Sequence, residues 1–177
     1  MSVAGLAIDA STRNPIVLLR DPSLRRQVPI WIDQAQAHHI MVGIKELNSN
    51  TPLSHDLMLS LLKLGELKLE KVIIHAIEDN TFQAVLKINH TSKPNKEENS
   101  NANDLVELKA RPSDAIALAV RTKCSIWMLE EVVSKASIPV DAEADAEDLN
   151  EFRRFIQEAS PSSLISHFKE NEGNNEK

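Results

Sequence analysis

The 177-residue chain is poor in glycine, cysteine and aromatic residues. Its four glycines never form a phosphate-cradling loop, and no Ser nucleophile elbow occurs. A single cysteine, Cys124, excludes an intramolecular disulfide and a paired-thiolate metal site, and its apolar setting between Lys123 and Trp127 reads as a small hydrophobe. There is no tyrosine, with two Trp and four Phe, so a row of base-stacking aromatics is absent. No His-Glu-x-x-His occurs, and no apolar run approaches the ~20 residues of a membrane-spanning helix. The opening residues, Met1 to Asp9, lack a basic segment followed by a long apolar one, so the expectation is a cytoplasmic protein with no membrane partner.

A basic surplus is missing too. Residues 1–140 carry 16 Lys/Arg and 16 Asp/Glu, whereas residues 141–177 carry 4 and 10, so the whole net charge of −6 belongs to the tail. A neutral body argues against gripping nucleic acid by phosphate neutralisation alone, and leaves transient handling of a phosphodiester open.

What is present is clear periodicity. Val3–Ile8, Pro15–Leu19 and Val28–Ile32 are short apolar and β-branched runs between turn-prone residues, and read as strands. Helical spacing follows from Gln34 to about Leu47 and from about His55 to Leu64, where Leu57, Leu61 and Leu64 share a side with Met58 and Leu62 beside them. The pattern then restarts with Leu69–Ala76 and Thr81–Ile88 around Asp79-Asn80, Leu105–Ala110, and a helix over Pro112–Arg121. Setting Val28 on Val106 also sets Ile30 on Leu108, Ala37 on Ala115, Ile40 on Leu118 and Val42 on Val120. The expected fold is therefore α+β, a duplicated three-strand-plus-helix unit forming a single domain over residues 1–140. Residues 91–103 read as a mobile loop, and 126–129 and 130–136 as a further strand and helix. An acidic helical tail over 141–177 is expected to dock through Leu149, Phe152, Phe155 and Ile156, to form one more short helix from Ser160, and to be disordered from about 170.

Two polar clusters open helices. In Ser54-His55-Asp56, Ser54 reads as an N-cap and Asp56 as a first-turn carboxylate that complements the helix dipole. His55 is not explained by capping, and an imidazole beside a carboxylate is a usable general base or metal ligand. In Arg111-Pro112-Ser113-Asp114, Pro112 and Asp114 are ordinary helix-start residues, but the Arg111 guanidinium cannot accept from the orphan N–H groups. It should pair with Asp114 or another carboxylate, or wait for an anion, and an arginine at a helix N-terminus suits phosphate. His38 and His39 are adjacent on a helix, about 100° apart, and read as helix-surface residues; His75 reads as a strand-face histidine.

Together, Pro29-Ile30-Trp31-Ile32 with Ala35-Gln36-Ala37, then Pro52 to Leu57, then Ala110 to Ala119, resemble the bifunctional nuclease (BFN) domain family over roughly residues 2–140. The resemblance implies an internally duplicated α+β fold, homo-oligomers, and hydrolysis of DNA and RNA phosphodiester bonds. His55, Asp56, Arg111 and Asp114 match the family's polar signature and are the expected catalytic set. Asp56 and Asp114 are expected to hold Mg²⁺ or Mn²⁺, with no organic cofactor, and Arg111, Ser54 and Gln36 to contact substrate. Gln36 stands where such proteins often carry Glu, removing a negative ligand, and Ser54 stands for the commoner Thr. The alternative is a non-enzymatic, homo-oligomeric interaction domain whose polar clusters only start helices.

Overall fold

The computed structural model describes residues 1–46, 51–91 and 105–140, together with Asn150, Phe152 and Arg154. β1 (Ser2–Ile8), β2 (Pro15–Arg20) and β3 (Arg26–Trp31) form an antiparallel meander, followed by α1 (Gln34–Ile44) and α2 (Ser54–Leu64). β4 (Leu67–Glu78), β5 (Thr81–His90) and β6 (Val106–Ala110) form a second meander, followed by α3 (Pro112–Thr122). β7 (Ser125–Met128) then runs parallel to β4 on its far side. After α4 (Glu130–Ala136), the two-residue β8 (Ile138–Pro139) returns to pair with β3. Two four-stranded sheets result, ordered β1-β2-β3-β8 and β6-β5-β4-β7. The expected α+β class is the observed one.

The duplication is visible in the helices. The offset that lays Val28 on Val106 carries α1 onto α3 from first residue to last, and the two helices pack on each other. Contact is close because Gly43 has no side chain: a Cβ there would lie 2.6 Å from Val120 Cγ2 and 2.8 Å from Arg121 Nη1. One apolar cluster spans both sheets, with Val17, Leu19 and Val28 from the first, Val72, Ile74 and Leu86 from the second, and Ile40 and Ile116 from the paired helices. Burying a side chain of this size is worth about 1.5–3 kcal/mol, so the α1–α3 seam ties the halves into one core. The β4–β5 hairpin turns at Asp79 and Asn80, both at positive φ, as a two-residue hairpin loop with the strands' own twist requires.

Several expectations need correction. α1 stops at Ile44, short of Leu47, because Glu46 turns left-handed at φ 49° and its N–H reaches only to the Gly43 carbonyl. Ser54 is not the N-cap of α2 but its first helical residue; Leu53 holds the cap position, and Asp56 accepts its N–H at 2.8 Å. The Leu57, Met58, Leu61 and Leu64 side of α2 faces outward rather than into the core, since α2 packs through His55, Leu59 and Leu62. β8 was not anticipated. Phe152, in a helical stretch, is 1% exposed and joins the main core. Leu149, Phe155, Ile156, the segment from Ser160, and residues 92–104 lie outside the described residues. Among the described residues no helix is long and apolar enough to cross a membrane.

Candidate functional site

The site is built on the N-termini of the paired helices. α1 begins with a complete capping box: the Gln36 N–H donates to Asp33 Oδ1 at 2.8 Å, and the Asp33 N–H donates to Gln36 Oε1 at 3.0 Å. Gln36, expected at substrate, thus has a structural duty first, one that amide and carboxylate perform alike. At α3 the equivalent positions are Arg111 and Asp114, and no such box forms. Arg111 makes no side-chain cap, and Asp114 turns away from the backbone to take Arg111 Nε at 2.7 Å and Nη2 at 3.3 Å. The first turn of α3, where Pro112 carries no N–H, is left without the side-chain acceptor that α1 has.

Behind Asp114 lies His55, with Nε2 3.2 Å from Asp114 Oδ1. His55 is 3% exposed, and among the described residues its buried Nδ1 has no hydrogen-bond partner. The structure therefore joins three of the expected residues, Arg111, Asp114 and His55, into one chain running from surface to interior. Arg111, at 69% side-chain exposure, is its outer end. The charge and hydrogen bond of Asp114 hold the guanidinium pKa above its ordinary value.

Asp56 is tied elsewhere. Its Oδ1 accepts Arg121 Nε at 2.8 Å and its Oδ2 accepts the Leu53 N–H. Burial pushes the Asp56 carboxyl up, but the hydrogen bonds from Arg121 and Leu53 prevail and hold it below the usual carboxylate range. Arg121 is the residue that sequence reasoning missed. Its side chain is 7% exposed, and Nη1 donates to the carbonyls of His39 and Ala117, both at 2.9 Å. It pins α1, α2 and α3 at one point, in the space that Gly43 leaves. His39 was missed with it: its ring stands edge-on to His55, centroids 5.0 Å apart, while His38 is exposed as expected. Burial, then the neighbouring His55, His38 and Arg121, lowers the His39 pKa against a smaller opposing pull from Asp114.

The donor set bears directly on a cation. Every oxygen of Asp56 and Asp114 already accepts a protein hydrogen bond, and among the described residues no three His, Cys, Asp or Glu side chains converge. A resident ion shared by Asp56 and Asp114 does not fit residues arranged in this way.

The Arg111 end opens on a groove of about 240 Å³, lined by Trp31, Gln36, Asn80, Arg111 and Ser113 among others. Trp31 is 54% exposed, and its indole N–H is held by Asp9 Oδ2 at 3.0 Å. An exposed arginine, an uncapped helix start and a fixed aromatic face around one groove can receive a phosphate with an apolar group beside it. Ser54 is exposed at the first residue of α2 and does not line this groove. A second groove, of about 420 Å³, is lined by Gly43, Glu46, Asp56, Arg121 and Lys123 among others, with each cation already facing a carboxylate.

Two known proteins are similar to this chain over most of its length. Uncharacterized protein MT1877 of Mycobacterium tuberculosis (strain CDC 1551 / Oshkosh) is 28% identical over 167 residues, which cover 90% of this chain and 93% of that one. Uncharacterized protein Rv1829 of Mycobacterium tuberculosis (strain ATCC 25618 / H37Rv) matches to the same extent. A model of the bifunctional nuclease domain matches residues 17–141, well over half of the chain, and takes in α1, α2, α3 and all of Gln36, Ser54, His55, Asp56, Arg111 and Asp114. The chain belongs to the bifunctional nuclease domain family.

Proposed function

We propose that this chain hydrolyses phosphodiester bonds of DNA and RNA, with the scissile phosphate received at the N-terminus of α3. The observation that carries this reading is the Arg111–Asp114–His55 chain, which spends the helix-start carboxylate on an arginine instead of on the backbone. Arg111 offers a bidentate fork to two phosphate oxygens, and the first turn of α3 adds its N–H groups. Asp114, released as the guanidinium turns to phosphate, is the carboxylate that accepts a proton from the attacking water; as the new P–O bond forms the P–O bond to the leaving sugar oxygen breaks, and that oxygen takes its proton from solvent. His55 is too buried to meet substrate; it is a positioning residue that orients Asp114 from behind. Asp56 and Arg121 hold the helix that carries His55. Trp31 offers one base a stacking face, worth about 1–3 kcal/mol, which suits a transient substrate on a neutral body. Mg²⁺ or Mn²⁺ belongs to this proposal only as an ion arriving with the phosphate, and no step above depends on it.

A second reading, a non-enzymatic interaction domain, is favoured by one observation: the saturated carboxylates are what two purely structural helix starts would also need. Cleavage of single- and double-stranded DNA and RNA by highly purified protein, with Mg²⁺, Mn²⁺ or chelator, separates the two. The nuclease reading expects cleavage that falls by orders of magnitude in Arg111→Lys and Asp114→Asn proteins whose circular dichroism is unchanged. Absence of cleavage in every arm, or cleavage indifferent to both substitutions, favours the second reading.

A further inference from the structure

Among the described residues the second sheet ends at β6, an edge strand exposed from Val106 to Lys109. Val106 and Leu108 lie opposite Ile88 and Leu86 of β5, which are buried, yet they are 52% and 53% exposed themselves. The apolar stripe of the sheet therefore continues past its last covered strand and stops uncovered. On the other face Glu107 and Lys109 alternate with these residues, and Glu107 is ion-paired with Lys87 across the ladder. An exposed edge of this kind is a template for another strand.

Val106-Glu107-Leu108-Lys109-Ala110 is self-complementary when turned end for end. In an antiparallel pairing centred on Leu108, Leu108 meets its own copy, Val106 meets Ala110, and Glu107 meets Lys109 twice. Slipping the register by one residue sets charged side chains against apolar ones. Slipping by two sets Glu107 on Glu107 or Lys109 on Lys109, which is unfavourable. Only the centred register satisfies both faces.

We propose that β6 pairs antiparallel with β6 of a second copy of this chain about a two-fold axis at Leu108, joining the two second sheets into one. Lys87, Glu107 and Lys109 of the partner subunit then form a ladder of alternating charge across the seam, and the apolar stripes become continuous on the opposite face. This is an isologous contact, closed at two copies. Five residues of strand set the register but bury less than the ~1,200 Å² of a tight interface, so the dimer forms in a concentration-dependent way across the micromolar range. The proposal is independent of the phosphodiester reading, since it is read out by mass rather than by cleavage.

The test is sedimentation of the full chain and of two charge variants, Lys109→Glu and Glu107→Lys, with far-UV circular dichroism and melting curves as the check on folding. Each variant places like charges opposite one another twice per dimer, and dimerisation is expected to weaken roughly tenfold or more. Mixing the two variants restores opposite charges at both positions, so an equimolar mixture regains dimers that neither partner forms alone. A wild-type protein that is monomeric throughout the micromolar range overturns the proposal, leaving Glu107 and Lys109 as guards of a bare edge. Dimers that persist in both variants, or a mixture that stays monomeric, place any self-association elsewhere and overturn it as well.

Discussion

α1 and α3 occupy equivalent places in the two halves, have the same length, and begin with different chemistry. At α1, Asp33 and Gln36 satisfy one another's backbone N–H groups and nothing is left over. At α3, Arg111 and Asp114 satisfy each other's charges, and the backbone is left for something else. The divergence recurs two turns later, where Gly43 of α1 corresponds to Arg121 of α3 and each makes the other possible. A small residue on one helix allows a buried guanidinium on the other, and that guanidinium holds Asp56 and the carbonyl of His39 beside His55. One helix start closes its polar groups on its own backbone, and the other turns them onto each other.

The comparison breaks most visibly at Arg121. Arg121→Met leaves Asp56 and two carbonyls without their donor; because Asp56 is 38% exposed at its side chain, the cost is discounted to about 2–4 kcal/mol by denaturant unfolding. Gly43→Ala should cost about 1–2 kcal/mol, overpacking against Val120 and Arg121 being partly offset by better helix propensity. In the Arg121→Met background the same change should cost less, since one of its two clashes is gone; strict additivity would mean the two residues are not coupled.

Removing the cap of α1 by Asp33→Ala should lower stability by about 1 kcal/mol and leave any cleavage untouched. Equal loss of cleavage from Asp33→Ala and Asp114→Asn would erase the functional difference between the two helix starts.

The smallest effect is that of pH. The His39 pKa is lowered in the folded protein, so its neutral form is the native one. That stability is fully present above the ordinary value of 6.5 and is lost as pH falls through the depressed folded value. A thermal midpoint that declines below pH 6.5 in the wild type, and declines less in His39→Gln, is the expected result; identical profiles would remove His39 from the buried cluster.

The strands, the hairpin at Asp79-Asn80 and the start of α3 at Pro112 were legible because each rests on local chemistry: alternation, turn-prone residues, a ring that fits the first helical position. The pairing of Arg111 with Asp114 was legible for the same reason, being three residues apart on one helix. Arg121, Gly43 and His39 were not, because their significance lies in contacts between helices distant along the chain. The start of α2 was misplaced by one residue because Asp56 caps backwards onto Leu53, a bond that needs no hydroxyl at Ser54. The outward turn of the apolar side of α2 was not legible because periodicity marks a stripe without saying which side of the helix meets the protein. Asp56 and Asp114 were paired as metal ligands on residue type alone, whereas in the fold an arginine reaches each of them.

The central claim is that α3 begins with a phosphate-handling end where α1 begins with a cap, and the direct test is to rebuild one as the other. Arg111→Asp together with Asp114→Gln gives α3 the Asp33–Gln36 pair of α1. A capping box gained and an exposed ion pair lost nearly cancel, so stability should stay within about 1 kcal/mol of wild type. Cleavage of DNA and RNA by this double variant should fall by orders of magnitude while the fold is kept. Cleavage at the wild-type rate from a folded double variant would contradict the account.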